Sequence, residues 1–360
     1  MPRPGQFKPE AGGWLPDRIA VGLLTGAYPP ELVDRVVARC GREGRRKRLL
    51  TPEVTVYFVL AMCLFPGDGY EEVARKLARG LAWGRRCSAP GQVPSAAAIS
   101  RARLRLGSEP LEELFAEAAR SSAVGADGCT RYRGRRLVAV EGTVLDAPDT
   151  AENVAHFGSP VLGGRGYPQV RVVVLAGCGG NVVTAAALGP PSRSEPGLAR
   201  GLFDRLGRGD LLLADHRGFD GPPLWRAASA GGADLLWRVR PSTLLTFRQQ
   251  LCDGSYLAEF SMASDGRSEP VRVVEERAPG ESGRLLTTLL DPGQAPAAEL
   301  TALHREWGMT ATALQQLTAD QLGPIRVLRS RCPEGVEQEV WGHLLVHHAI
   351  RRLMAFGSVR

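Results

Sequence analysis

The hydrophobic pattern of the chain changes near residue 123. From Asp17 to about Ala123, apolar residues recur at the three- to four-residue spacing of amphipathic helices, and strand-like alternation is scarce. Helices are predicted to begin at Pro29, Thr51, Gly69, Ser95 and Pro110. Thr51 is a predicted N-cap, and the segment that follows it, VTVYFVLAMCLF, is apolar nearly all round. We therefore predict a helical bundle with this segment at its centre.

Beyond residue 123 the pattern becomes that of strands. Residues Ala123–Arg136 are Gly-rich, poor in large apolar side chains and basic at their end, which predicts a linker. Strands are then predicted at Leu137–Val140, Gln169–Ala176, Asn181–Leu188 and Leu211–Ala214, with a hairpin turn at Gly177–Gly180 and a helix from Ser194 to about Leu206. The order strand, strand, strand, helix, strand is that of a ribonuclease H-like core, in which the first and fourth strands lie side by side.

Two acidic residues follow the first and the fourth of these strands. Glu141 comes directly after Val140, and Asp215 comes directly after Ala214 in the segment LLLADHRGF. Because the two strands are neighbours in such a core, we expect both carboxylates at the mouth of the sheet. Carboxylates in that position are typical of metal-dependent phosphoryl transfer, where acidic residues hold the metal ions.

A second strand-rich stretch runs from Leu235 to Leu290. Its apolar runs LLWRVR, SYLAEF, EPVRVVEER and RLLTTLL predict antiparallel strands, and helices are predicted again at Pro296–Thr318 and Glu334–Met354. The predicted class is α/β, with an N-terminal helical domain followed by a ribonuclease H-like mixed-sheet core that carries an inserted antiparallel β region. The predicted divisions are 1–123 for the helical domain, 137–234 for the first part of the core, 235–292 for the insertion and 293–360 for the closing helices.

Charge and composition favour a nucleic-acid partner. The 360 residues contain 45 Lys and Arg against 38 Asp and Glu, a formal net charge of +7. The predicted DNA-binding residues form two clusters, Arg42, Arg45, Arg46, Lys47 and Arg48 in the first and Arg101, Arg103 and Arg105 in the second. An ordinary solvated surface is the alternative interpretation of each cluster.

The remaining composition points to a cytoplasmic protein. The 7 cysteines are scattered and form no C-x-x-C pair, which is typical of reduced thiols. The N-terminal segment MPRPGQFKPEAGG lacks the apolar core of a signal peptide, and no apolar run is long enough to cross a bilayer. We expect no membrane association, and the oligomeric state stays open, with a homodimer among the alternatives.

Segments along nearly the whole chain resemble the insertion-element-4 type of DDE transposase. They are GWLPDRIAVGLLTGAYPPELVDRVV, LTPEVTVYFVLAMCLFPGDGYEEVARKL, PSAAAISRARLRLG, VAVEGTVLDAPDTAENVAHFG, YPQVRVVVL, LLLADHRGF and VLRSRCPEGVEQEVWGHLLVHHAIRRLM. The resemblance implies DNA transposition and DNA recombination as activity, and DNA binding through the N-terminal helices. It also implies Mg²⁺ as cofactor, with Glu141 and Asp215 as its ligands.

The catalytic positions of that family are changed in this chain. The first acid is Asp in the family and Glu141 here, while the second remains as Asp215, next to an apparent insertion at His216. The third motif of the family is Tyr, two residues, Arg, three residues, Glu, six residues, Lys; it aligns with His304, Trp307, Ala311 and Thr318. Glu306 lies five residues before Ala311, about 140° away on a continuous helix, so we expect it to point elsewhere. We therefore predict a degenerate site in which strand transfer is impaired or absent.

Two further interpretations stay open. The former catalytic cleft can have become the pocket of a small-molecule enzyme, lined by Glu141, Asp146, Asp215, His216, His304 and Trp307. His343 and His347 are four residues apart on the last predicted helix, a spacing able to chelate a transition metal. Because no H-E-x-x-H pattern is present, we interpret these histidines and His348 as core residues.

Overall fold

A computed structural model describes residues 14–44, 49–80, 93–124, 130–158, 166–215, 221–261, 267–278, 281–309, 312–322 and 327–357. The chain divides into two compact units. The first comprises Met1–Gly125, Leu145–Gln169 and Gln316–Arg360, and the second comprises Ala126–Val144 and Val170–Gln315. Both units are therefore built from separate stretches of sequence.

The helices are α1 (Trp14–Ala27), α2 (Pro30–Arg39), α3 (Pro52–Leu64), α4 (Tyr70–Gly80), α5 (Ala96–Leu106), α6 (Glu109–Val124), α7 (Ala151–Phe157), α8 (Glu195–Arg200), α9 (Pro222–Ser229), α10 (Ala297–Met309), α11 (Ala313–Gln316) and α12 (Pro333–Gly357). The strands are β1 (Arg131–Tyr132), β2 (Arg135–Asp146), β3 (Gln169–Gly177), β4 (Val182–Gly189), β5 (Asp210–Ala214), β6 (Asp234–Val239), β7 (Leu245–Gln250), β8 (Tyr256–Ser261), β9 (Ser268–Ala278) and β10 (Glu281–Thr287). No helix of the described residues is long and apolar enough to cross a membrane.

The first unit is helical, with α3 at its centre as predicted. Thr51 caps the helix, and its hydroxyl accepts a hydrogen bond from the Val54 N–H at 3.3 Å. The side chains from Thr55 to Cys63 are all buried, which accounts for a sequence that is apolar all round. α12 packs against α3 at Gly342, where an added Cβ would lie 2.6 Å from Cys63 Sγ. A glycine at this point lets the two helices approach closely.

The strands form a ten-stranded mixed sheet in the order β4-β3-β2-β5-β6-β10-β9-β8-β7, with β1 paired to β2. β2 and β5 run parallel, pairing Val138 with Leu212, and β5 and β6 also run parallel. The prediction that the first and fourth core strands are neighbours is confirmed. The α/β class and the ribonuclease H-like strand order are therefore those expected from the sequence.

Both faces of β5 are buried, which explains its unbroken apolar sequence. Leu211 and Leu213 belong to one hydrophobic cluster, against which Leu300, Leu303 and Trp307 of α10 pack. Leu212 and Ala214 belong to the cluster on the opposite face, together with Leu198 of α8 and Trp225 of α9. The second unit is thus a sheet with helices on both faces, and α10 covers the face of Leu211 and Leu213.

The predicted linker and first strand differ from the structure. The basic end of the linker is a hairpin, in which β1 pairs with β2 and Arg133 and Gly134 form the turn with φ angles of 48° and 85°. Side chains alternate between the two faces of a strand, so a polar segment can form strands when both faces provide contacts. β2 also continues to Asp146, so that Glu141 lies within a strand and not at its end.

Other predicted boundaries also shifted. The predicted helix from Ser194 is shorter, because α8 ends at Arg200 and a separate 3-10 turn spans Phe203–Arg205; two glycines in this segment weaken a continuous helix. LLWRVR forms β6, which is parallel to β5, and β7–β10 extend the same sheet beyond it. The predicted helix Pro296–Thr318 is not continuous, because Thr312 is not helical and α11 begins at Ala313. Thr312 and Gln315 exchange hydrogen bonds there in the manner of a capping box.

Candidate functional site

The carboxylate of Glu141 is held by the first turn of α11. Its Oε2 accepts a hydrogen bond from the Leu314 N–H at 3.1 Å. Burial raises the pKa of Glu141, and hydrogen bonds from Leu314, Thr312 and Ala313 partly oppose that rise. The first predicted acid is therefore a buried group whose hydrogen-bond partners are supplied by the segment after α10.

Asp215 lies beyond the end of β5, beside His304 of α10. The His304 Nε2 atom is 3.4 Å from the carbonyl oxygen of Ala214. Burial lowers the pKa of His304, while the Ala214 carbonyl and the charge of Asp215 raise it. His304 is therefore a mostly neutral imidazole beside the end of β5.

Glu141 and Asp215 share one face of the sheet. Ala139 of β2 is level with Leu213 of β5, and each acid follows two residues later. Since side chains alternate along a strand, Glu141 faces the same way as Ala139, and Asp215 the same way as Leu213. This is the face that α10 covers.

These residues do not fit a magnesium site as they are arranged. Mg²⁺ requires near-octahedral oxygen ligands, several of them from carboxylates and water. Within the described ranges, no group of three or more His, Cys, Asp or Glu side chains could hold a metal ion. Glu141 is hydrogen bonded to amide donors, and His216 and Ala311 lie outside the described residues. No step through a bound metal follows from this arrangement.

The third motif is spread over separate elements. His304 and Trp307 are adjacent on α10, with ring centroids 5.3 Å apart, whereas Thr318 lies in a π-helical turn, Leu317–Leu322. The expectation that Glu306 points away from Ala311 stays a prediction, because Ala311 lies outside the described residues. Glu306 lies on α10 and lines the same cavity as Glu141.

That cavity has a volume of about 90 Å³ and lies wholly within the second unit. It is lined by Thr130, Leu137, Ala139, Glu141, Ala176, Gly177, Cys178, Gly179, Asn181, Leu303, Glu306, Trp307 and Thr312. Of the residues predicted for a small-molecule pocket, Glu141 and Trp307 are in this lining, while Asp146, Asp215 and His304 are not. Asp146 belongs to the first unit, where it accepts a hydrogen bond from Gln169 Nε2 at 2.9 Å.

Sequence reasoning considered Glu306 and set it aside, although a signal for its position existed. Glu299, Leu303 and Glu306 follow at i, i+4 and i+7, which places them along one face of a helix. No comparable spacing in the sequence pointed to Thr130, Cys178 and Asn181, because these residues reach the cavity from turns of the sheet.

The predicted DNA-binding arginines have different environments. Arg101 and Arg105 are exposed and lie four residues apart on one face of α5, after the N-cap Ser95. Arg42 is 3.0 Å from Glu109 in an ion pair at the surface. Arg45, Arg46, Lys47 and Arg48 lie outside the described residues.

Arg103 is not available to DNA, contrary to the prediction. It is buried, because a residue two positions from Arg101 and Arg105 points to the opposite face of the helix. Its guanidinium donates to Gln338 Oε1, Tyr70 Oη, Ser330 Oγ and the Gly335 carbonyl. Arg103 therefore ties α5 to α12 within the first unit.

The histidines of α12 are core residues. His343, His347 and His348 are all at most 2% exposed. Burial lowers the pKa of His343 and of His348 to about 4, and the charge of Arg352 contributes at His348. The Nδ1 atom of His348 lies 3.1 Å from the Tyr28 hydroxyl. His343 and His348 are therefore neutral in the helical core, and His347 is buried with them.

Comparison with known proteins adds to this geometry. Residues 18–116 match the family described as insertion element 4 transposase N-terminal. The transposase InsG for insertion sequence element IS4 of Escherichia coli strain K12 is 29% identical over 341 residues, which are 90% of this chain and 74% of that protein. A piggyBac transposase solved as a synaptic complex with hairpin DNA superposes with a TM-score of 0.48 and 10% identity, covering 94% of this chain and 75% of the other.

The family match covers the N-terminal helices, and the similarity to InsG extends along most of the chain. Both include segments on which the resemblance in the sequence was based. By these similarities, the chain resembles the insertion element 4 transposases, through the family match at residues 18–116 and through the similarity to InsG along 90% of its length.

Proposed function

We propose that the chain is a transposase-like DNA-binding protein in which metal-dependent strand transfer is impaired or absent. The carrying observation is the hydrogen bond from Leu314 N–H to Glu141 Oε2. The segment after α10, which aligns with the third acid of the family, supplies amide donors to the first acid. A carboxylate with such donors is a satisfied buried group, whereas a metal site needs it free to bind a cation.

The DNA-binding part of the proposal rests on the family and on α5. The named relative is a transposase for an insertion element, and we extend that partner class, DNA, to this chain. Arg101 and Arg105 project from one exposed face of α5, where two guanidinium groups can contact phosphates. We propose residues 1–123 as the DNA-binding domain, with these two arginines among its contacts.

The impairment is expected because several losses act together. Two-metal catalysis needs carboxylates that hold both ions about 3.5–4 Å apart. Here the first acid is longer by one methylene, and misplacement by about 1 Å can cost about 100-fold in rate. The positions that align with the family's Arg and Lys are Trp307 and Thr318, so cationic contacts to phosphate are also missing.

The test combines binding and cleavage in one experiment. Full-length protein is titrated with random-sequence duplex DNA over a salt series with Mg²⁺ present, and strand breaks are scored on gels. We expect steep salt-dependent binding without cleavage, and Arg101→Ala/Arg105→Ala should reduce the salt slope by about 2. Arg200→Ala, an exposed arginine of α8, is the matched control. Mg²⁺-dependent cleavage would refute the impairment, and absence of binding at low salt would refute the DNA partner.

The alternative is that the old cleft has been recruited by a small molecule. One observation favours it, since Glu141 and Trp307 line a common cavity beneath α10. Its chemistry can be tested separately from DNA binding.

A further inference from the structure

The inward face of helix α5 is fixed to the rest of the first unit. Ile99 and Leu106 are buried, and the buried guanidinium of Arg103 donates to Gln338 Oε1 at 3.0 Å. The Nε2 amide of Gln338 donates to the carbonyl oxygens of Arg103 at 2.7 Å and Gly107 at 2.9 Å. α5 is therefore held along one side and at its C-terminal end.

The opposite face of α5 consists of exposed side chains at helical spacing. Ala97, Arg101 and Leu104 follow at i, i+4 and i+7, so they lie within about 60° of one another around the helix axis. Ser100 and Arg105 flank them, and all five residues are exposed. Leu104 is 55% exposed, although it is a large apolar residue. We call these five residues the α5 face.

The charge of the α5 face is positive. The helix contains three arginines and no Asp or Glu. On α2, by contrast, guanidinium nitrogens of Arg35 and Arg39 lie 3.9 and 2.6 Å from carboxylate oxygens of Glu117 on α6. The arginines of α2 are thus balanced by an acidic helix, whereas α5 brings no acid of its own. A partner of the α5 face should be anionic and should also offer apolar groups to Leu104.

The major groove of duplex DNA has both properties. It is about 12 Å wide, so it admits an α-helix between two phosphate backbones. Its floor presents guanine N7 and O6 as acceptors for arginine, and thymine methyl groups as apolar contacts. The short side chain of Ala97 lets the first turn of α5 approach a base edge, as in helices that read DNA with their N-terminal residues.

We propose that α5 enters the major groove and determines which DNA sequence this protein prefers. Arg101 would donate to N7 and O6 of a guanine, and Ala97 and Leu104 would contact thymine methyl groups. Arg105, at the flank, would contact a phosphate. On random-sequence DNA Arg101 would contact a phosphate as well, and it would turn to the base only at a preferred site. This inference rests on the DNA binding proposed above and adds the residues that determine specificity.

The experiment selects DNA from a pool of random duplexes with the full-length protein at physiological salt, and the enriched duplexes are sequenced. We expect an enriched sequence with a guanine at one position. Arg101→Gln should change that guanine to adenine, because glutamine pairs with N6 and N7 of adenine. At the same position, 7-deazaguanine lacks the N7 acceptor and should weaken wild-type binding about fivefold or more.

The apolar contacts are tested with uracil, which lacks the methyl group of thymine. Uracil in place of thymine should weaken wild-type binding about fivefold at one or two positions of the enriched sequence, and Leu104→Ala should remove that difference. Arg35→Gln, at a 60% exposed arginine of α2, is the control and should leave the enriched sequence unchanged. Thermal unfolding should show that these substitutions of exposed residues leave the fold intact.

The outcomes separate this inference from the proposed function. Absence of binding at low salt would refute the DNA partner, and the role of α5 with it. Salt-dependent binding without an enriched sequence, or with one that Arg101→Gln leaves unchanged, would refute the role of α5 alone. A changed oligomeric state of Leu104→Ala, with uracil sensitivity retained, would overturn the proposal for Leu104 and assign it to a protein contact.

Discussion

Arg272 is a buried cation that connects three parts of the second unit. Its side chain is 0% exposed, and it donates to Asp253 Oδ2, to Ser255 Oγ at 2.7 Å and to the carbonyl oxygens of Leu289 and Ala295 at 3.2 and 2.6 Å. Asp253 Oδ2 also accepts the Ala297 N–H at 2.9 Å, in the first turn of α10. Arg272 therefore holds β9, the turn before β8 and the start of α10 together.

Replacement of Arg272 by Met should destabilise the second unit strongly. Removing one partner of a buried ion pair leaves the other uncompensated, at a cost of about 3–5 kcal/mol. At a urea dependence of about 2 kcal/mol per molar, the unfolding midpoint should fall on the order of 2 M. The assay is urea unfolding followed by far-UV circular dichroism and tryptophan fluorescence.

The control is Arg248→Met in β7. Arg248 is 60% exposed and lies 3.6 Å from Glu259, so its loss should cost about 0–1 kcal/mol. Asp253→Asn added to Arg272→Met should recover part of the loss, because it removes the charge left behind. If Arg272→Met shifted the midpoint no more than Arg248→Met, the assigned role of the buried pair would be refuted.

The same pair predicts an acid limit. Burial raises the pKa of Asp253, but hydrogen bonds from Ser255 and Ala297 and the charge of Arg272 outweigh it, and the net pKa lies below the ordinary 3.8. A carboxyl with a lowered folded-state pKa stabilises the fold above its unfolded pKa and loses that effect as the pH falls further. Unfolding of the second unit should therefore become easier below about pH 4 in the wild type, and Arg272→Met should weaken this dependence.

Three further predictions concern the first unit. Gly342→Ala should lower stability by about 1–3 kcal/mol, since its Cβ would lie 2.6 Å from Cys63 Sγ; Gly22→Ala in α1, with nothing within 4 Å, should be neutral or raise stability by up to about 1 kcal/mol. The thermal midpoint should fall as the pH drops from 6.5 towards 4, because His343 and His348 have folded pKa values of about 4 and stabilise the fold only while neutral. The control variant, His156→Gln at an exposed position, should leave that pH dependence unchanged. A thermal midpoint of the wild type that does not change with pH would contradict the neutral core histidines. Arg103→Lys should lower the melting temperature, because one ammonium cannot replace the four hydrogen bonds of the guanidinium. It should leave the salt slope of DNA binding unchanged, and a reduced slope would return Arg103 to the DNA-contacting residues.

Local patterns predicted much of the scaffold. The cap at Thr51, the all-round apolar α3 and the hairpin of β3 and β4 depend on neighbours in sequence, and all were predicted. The pairing of β2 with β5 followed from the order of the elements, since that order has a known arrangement of strands. Asp215 follows β5 as predicted, whereas Glu141 lies within β2 and not after it.

Long-range contacts decided the environment of individual polar side chains. Arg103 matched its exposed neighbours in charge and spacing, but its partner Gln338 is 235 residues away. Glu306 was set aside as a candidate ligand, because nothing in the local pattern showed that it lines the same cavity as Glu141. Glu141 resembled a metal ligand until the amide of Leu314, 173 residues away, proved to be its partner.

The sequence by itself determined the class of fold and the strand order, because periodicity and element order are properties of neighbouring residues. Only the tertiary structure decided which charged groups are satisfied internally, as at Arg103 and Glu141, and which border a cavity, as at Glu306. The physical reason is that burying a charge is costly without partners, and those partners come from distant segments that only the folded chain brings together.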